Sequence, residues 1–280
     1  MWGFTGILGK LIHLDSFLIV WHRVLIAFIG IGIYLLFTKK SIKLPSFKSF
    51  LSICGVGVLV ALHWLTFYKS IQLSTASLGI LCLSTVTLHV TWLDPLVMKR
   101  KFSWMEFLLG LIVIIGIYIV SSDFNAKDYE ALIYGLISAL LAALFSVFNA
   151  KFVQTIPSTT ISFYEMGVGF LFLTSVLFVQ NEVVVSTLFS MTLSDLLWLL
   201  FLGLFCTSFA FLATIEVVKK LGAFTVSLSI NLEPVYTIIL AIFILKENEL
   251  LSYKFYLGAL IIILVVVLNG IIKNRQKQLS

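Results

Sequence analysis

What this sequence has least of is charge. Only 11% of its 280 residues are Asp, Glu, Lys or Arg, against 60% hydrophobic, and the mean hydropathy is +1.11. A chain with so little polar surface cannot coat a soluble globule, so composition assigns it to a membrane. Cysteine is scarce too: Cys54, Cys82 and Cys206 sit singly inside apolar runs, with no CxxC or Cys/His spacing. That excludes a disulfide framework and a zinc site, and leaves the thiols as small packing residues. The opening MWGFTGILGK has no basic stretch ahead of its apolar residues and no cleavage signature, so it reads as part of the mature chain. ATP hydrolysis is not supported, because no GxxxxGK(S/T) occurs. An intramembrane enzyme is a rival reading without GxSxG, HExxH or a facing acid pair to carry it. A channel is a second rival, lacking rings of charge or a filter-like glycine run. No cofactor and no metal are indicated. The net charge of +6 would suggest nucleic acid in a soluble protein, but here the basic residues cluster between apolar runs, where orientation in a bilayer explains them and no nucleic-acid partner is needed.

What is present is length in the apolar runs. A spanning helix needs about 20 mostly apolar residues, and nine segments reach or approach that: 17–37, 48–68, 77–98, 105–121, 131–152, 160–179, 195–217, 223–245 and 253–272. A tenth, 2–14, is apolar but short, and is counted as helix 1; either a start codon placed too late or a natural half-helix accounts for it. The expected fold is an all-α polytopic membrane protein of ten transmembrane helices, with the bilayer as its first partner. If helix 1 starts in the cytoplasm, thirteen of the nineteen Lys and Arg fall in cytoplasmic segments, which places both termini in the cytoplasm.

The acidic loop 121–130 divides the ten helices into fives, residues 1–122 and 131–273, with a basic tail at 274–280. A shift of 147 lays 61–100 over 208–247 without a gap, matching Ala76 to Ala223, Leu81 to Leu228, Leu93 to Leu240 and Lys99 to Lys246. Five helices per half is odd, so the halves are expected upside down relative to each other, the inverted-repeat plan of many secondary transporters.

Several residues interrupt the apolar runs. Glu233 and Pro234 lie about 15 Å into the ninth helix, near the bilayer midplane, where an ionisable group is a functional candidate. Glu233 could bind a substrate ammonium, couple to protons, or satisfy backbone groups freed by Pro234. Asn231 and Tyr236 join it in SINLEPVYTIIL. Thr85, His89 and Trp92 form one stripe of the fourth helix, expected to face a water-filled cavity; a neutral His89 bonded to a neighbouring helix is the alternative. His63, Trp64, Phe67 and Tyr68 line the outer half of the third helix as an interfacial belt or packing, with Trp64 deep enough to reach a cavity. Arg23 and Lys10 are expected to snorkel as structural anchors, and Glu165 occupies in the seventh helix the place Arg23 holds in the second. Asn149 is a cavity candidate or a polar packing residue, and Asp94 is a gate or a local balance for Lys99 and Arg100.

WGFTGILGK at 2–10, Arg23 early in the second helix, and NLEPVYTIILAIFILKENELLSYKFYLGALIII towards the end resemble the EamA family of the drug/metabolite transporter superfamily. Trp2, Gly3, Arg23, Pro234, Lys246, Glu247 and Gly258 carry the resemblance, over nearly the whole chain as two EamA-like units. It departs at Thr87, which stands where the shifted ninth helix has Pro234. The resemblance implies a ten-helix secondary transporter, often an exporter, moving small organic solutes such as amino acids, with protons as a candidate coupling ion and a monomer or homodimer as its assembly.

Overall fold

The structure is a computed structural model and describes residues 3–99, 101–180, 188–210 and 233–278. Eleven α-helices follow in chain order: α1 (Gly3–Leu11), α2 (Ser16–Thr38), α3 (Phe47–Leu73), α4 (Ala76–Leu83), α5 (Val86–Met98), α6 (Trp104–Val120), α7 (Ala126–Phe152), α8 (Ser158–Gln180), α9 (Leu193–Leu200), α10 (Glu233–Leu245) and α11 (Tyr253–Gln278). Among the described residues there is no strand. In a bilayer only such helices satisfy their own backbone without an exposed edge.

Polar residues mark where the helices begin. The Asp15, Ser46, Ser103 and Asn125 side chains accept from the first backbone amides of α2, α3, α6 and α7, and Asn125 and Thr192 form reciprocal capping boxes with Asp128 and Asp195. Three lysines mark ends: Lys39, Lys99 and Lys246 have φ of 51°, 55° and 55°, the left-handed conformation that stops a helix. Lys99 and Lys246 are the pair matched by the shift of 147.

Six helical stretches are long and apolar enough to cross a membrane, at Ser16–Thr38, Phe47–Leu73, Ala76–Met98, Ala126–Phe152, Ser158–Val179 and Tyr253–Ile272; shorter apolar helices lie at Trp104–Val120, Leu193–Phe209 and Glu233–Leu245. The chain is therefore a multi-pass membrane protein. The eighth and ninth expected spans extend into 211–232, outside the described residues. The first span has nine helical residues, roughly 14 Å of rise.

The fourth expected span is one path but two helices. α4 stops at Leu83 and α5 starts at Val86, with Ser84 and Thr85 between them, so Thr85 is not part of a continuous stripe. The Thr85 hydroxyl donates to the Cys82 carbonyl at 2.7 Å and the Thr87 hydroxyl to Ser84 at 3.0 Å, occupying carbonyls released by the break. Similarly, α9 continues into a π-helical stretch, Phe201–Phe209. There the Thr207 and Ser208 hydroxyls reach back to the carbonyls of Leu202 and Gly203. Such wide turns recur at functional sites.

The core is made where helices of the two halves meet. α3 lies along α7, α2 packs on α8 and on the π-helical stretch, α4 and α1 on α10, and α6 on α11. Glycines permit the closest of these approaches: a methyl group on Gly258 would meet the Gly116 carbonyl oxygen at 2.5 Å, so α11 and α6 touch backbone to backbone.

Candidate functional site

Two crossings in this bundle are alike. At the first, α9 passes α2, and a methyl group on Gly203 would meet Ile26 at 2.6 Å and the Arg23 carbonyl oxygen at 3.4 Å. At the second, α3 passes α8, and a methyl group on Gly57 would meet the Glu165 carbonyl oxygen at 2.9 Å and its Cα at 3.1 Å. Each crossing delivers one ionisable side chain into the bundle.

Arg23 does not snorkel. It is 3% exposed, about 10 Å along α2 from Ser16, and its neighbours draw the side chain inward. Nε donates to the Thr207 hydroxyl at 3.0 Å, Nη1 donates to the Tyr68 hydroxyl at 3.1 Å, and the guanidinium carbon lies 3.8 Å from the centroid of the Trp64 ring. A guanidinium carries five N–H donors, and two are used here, both on neutral hydroxyls. No carboxylate among the described residues lies within salt-bridge distance of it. Glu233, at the start of α10 and partly buried, is within electrostatic range of Arg23, and its carboxylate makes no hydrogen bond among the described residues. Among the described residues the site thus holds a planar, stacked cation with unpaired donors and no carboxylate paired to it. Arg23 can receive an anionic group and Glu233 a cationic one, whereas closed upon each other they could receive neither.

The aromatic residues of α3 are packing rather than an interfacial belt, for His63, Trp64, Phe67 and Tyr68 are all buried, and Trp64 and Tyr68 are the two that meet Arg23. His63 points the other way round the helix. Its Nδ1 lies 2.9 Å from the Ser138 carbonyl oxygen and 2.8 Å from the Ser138 hydroxyl of α7, an interhelix tie.

The remaining candidates separate. Thr85 is buried on its own backbone, while His89 is partly exposed, has no hydrogen-bond partner among the described residues, and meets Trp92 edge to face. Trp92 is 39% exposed and Tyr236 51%, so neither belongs to the buried group. Asp94 is partly exposed, one residue before Pro95. Glu165 is 1% exposed at the second crossing, and its Oε1 and the Oδ1 of Asn149 are buried without a hydrogen-bond partner among the described residues. Pro234 is buried in α10, next to Glu233. Asn231 lies outside the described residues.

Two participants have partners that the sequence does not reveal. Thr207 is one hydroxyl in an apolar run, and only the π-helical turn brings it to Arg23. Glu247 is 2% exposed, and its two carboxylate oxygens accept from the Ala76 and Ser77 amides at 2.7 and 3.0 Å, so the second half caps the first turn of α4. Lys10 is at the same end and donates to the Ser74 carbonyl at 2.5 Å.

A family model described as the EamA-like transporter family matches residues 1–122 and 130–271. The chain is 22% identical over 256 residues to an uncharacterised transporter of Clostridium kluyveri, covering 86% of this chain and 80% of that one. A solved crystal structure, 12% identical, superposes with a TM-score of 0.66 over 98% of this chain and 94% of its own, which is a likeness of fold alone.

Proposed function

We propose, from the premise that the chain belongs to the EamA-like transporter family, that it is a secondary transporter of the bacterial inner membrane with both termini in the cytoplasm. It moves small organic metabolites, amino acids among them, outward by alternating access of a site between two inverted five-helix repeats. The observation that carries the reading is Arg23: a buried cation with unused donors, stacked on Trp64, and opposed by Glu233 without an ion pair. Holding a charge that way costs free energy in the empty protein and is offset when a substrate brings the opposite charge. An α-amino acid supplies both, its carboxylate for Arg23 and its ammonium for Glu233.

The inverted arrangement is supported by features that recur at matching positions. Gly57 and Gly203 sit at the two like crossings, Arg23 and Glu165 at equivalent places, and Lys99 and Lys246 share one left-handed conformation. Rocking of the halves about the paired α4 and α10 would expose the Arg23 site to one side at a time.

Counterflow tests the reading. Proteoliposomes loaded with a mixture of unlabelled amino acids are expected to accumulate labelled amino acid transiently, with saturation, and to accumulate the corresponding decarboxylated amine at least about tenfold less, the loss of one charge-assisted bidentate contact. Equal handling of acid and amine contradicts the Arg23 assignment, and flux that never saturates favours a channel.

A further inference from the structure

The stretch that brings Thr207 to Arg23 is of an uncommon kind. π-Helix occurs mostly as single turns, whereas Phe201–Phe209 keeps that form for nine residues. Side chains hold it there. The Thr207 hydroxyl donates to the Leu202 carbonyl at 2.8 Å and the Ser208 hydroxyl to that of Gly203 at 3.0 Å, each five residues back, while the hydroxyls of Thr66, Thr174 and Thr237 reach carbonyls four back in their α-helices. Both hydroxyls are also tied to one face of α2. Thr207 accepts from Arg23 Nε at 3.0 Å, and the Ser208 hydroxyl is shared with the Ala27 carbonyl at 3.2 Å, one helical turn further on. The π register and the setting of Arg23 thus depend on the same hydroxyl.

We propose that Thr207 is a positioning residue that holds Arg23 in the empty site, and that the π-helical stretch is a switch released when a substrate carboxylate displaces it. The switch rests on the transport reading, whereas the tie between Arg23 and the π register does not. A carboxylate meets a guanidinium through two parallel N–H bonds, and on the edge that carries Nε it displaces the Thr207 hydroxyl. The α register offers that hydroxyl another acceptor, the Gly203 carbonyl four residues back, and the stretch closes to the tighter turn. One residue's share of an α-turn is about 100°, so the Ser208 side chain then turns away from Ala27 and Gly30 of α2. Substrate favours the α register because only there is Nε free, and the α register favours substrate in return. Occupancy of Arg23 in the first half is in this way converted into movement of a helix of the second.

A disulfide reads the register. A Cβ on Gly30 would lie 3.5 Å from the Ser208 Cβ, within disulfide reach, so Gly30→Cys/Ser208→Cys is expected to oxidise in the π register, the linked peptides being identified by mass spectrometry. Gly6→Cys/Ala76→Cys, at 3.8 Å between α1 and α4, is the reference pair. With no substrate present, adding Arg23→Met or Thr207→Val should lower the first yield at least about fivefold and leave the second unchanged, and Thr207→Ser should keep both. A first pair that does not oxidise in the otherwise native chain, a yield that ignores both Arg23→Met and Thr207→Val, or equal losses at the two pairs overturns the switch. In proteoliposomes with an amino-acid mixture, Thr207→Val is expected to lower the half-saturating concentration, since no hydroxyl has to be displaced, and to lower the maximal counterflow rate at least about fivefold, with Thr207→Ser close to wild type in both. Wild-type kinetics in Thr207→Val overturn it as well. Yields that respond to Arg23→Met in a protein without counterflow overturn the transport reading instead, and leave the tie between Arg23 and the π register standing.

Discussion

Gly203 brings α9 against the Arg23 carbonyl and Gly57 brings α3 against the Glu165 carbonyl, yet the two arrivals are furnished differently. Among the described residues Arg23 has two hydroxyls, an indole face and donors to spare, while Glu165 has a buried carboxyl oxygen without a partner. The contrast shows that backbone approach and side-chain chemistry are set separately. A small residue fixes where helices cross, and whatever the partner helix carries at that level becomes the buried group. Two like crossings therefore hold a cation at one and an acid at the other.

The ends of the bundle differ in the same sense. At the Arg23 end, three carboxylates of the second half hold the first: Asp195 accepts from the His13 amide at 2.8 Å, Asp128 from the Ser74 hydroxyl at 2.7 Å, and Glu247 from α4. At the Glu165 end, among the described residues, the halves are joined by neutral hydroxyls: Thr160 donates to the Ser41 carbonyl at 3.2 Å and Tyr164 to that of Ile42 at 3.1 Å. Charge-assisted bonds are about twice as strong as neutral ones, so the Arg23 end is the tighter closure.

The largest effect expected from breaking the comparison comes at the glycines. Gly57→Ala drives a methyl group to 2.9 Å from the Glu165 carbonyl oxygen and Gly203→Ala drives one to 2.7 Å from Ile26 Cβ, neither of which a rotamer change can move, and each should cost about 3 kcal/mol. Thermal unfolding in detergent checks this, and a cost within about 0.5 kcal/mol at either glycine would mean that its crossing is not set by this contact. Next is Glu247→Ala, which uncaps α4 and removes two charge-assisted bonds for about 2 kcal/mol. Its signature should be faster labelling of a cysteine placed at Ser77 by a soluble thiol reagent from the Arg23 end. The smallest effect belongs to Tyr164→Phe, at an exposed neutral bond, within about 0.5 kcal/mol and without change in labelling at either end.

Much of this plan was legible in the sequence for physical reasons. Apolar length reports spans because the bilayer has a fixed thickness, and Lys99 and Lys246, matched in the sequence, end their helices in the same left-handed conformation. What each buried group touches was not legible. An arginine seven residues into a helix is equally compatible with snorkelling and with burial, and only Thr207 and Tyr68, 184 and 45 residues away in sequence, decide it. Glu247 carries part of the family resemblance, but the sequence does not tell what it holds, because its partners lie 170 and 171 residues earlier. Tyr236 and Trp92 fit a helical stripe, but a stripe does not say which side of it meets the bundle.

The central claim is that Arg23 holds the carboxylate of the transported solute, and competition for counterflow between an amino acid and its C-terminal amide tests it most directly. Wild-type protein should prefer the acid by about tenfold or more, and Arg23→Met should abolish that preference while Arg23→Lys restores part of it, since a lysine keeps the charge but not the planar fork. A preference for the acid that is unchanged in Arg23→Met would contradict the account.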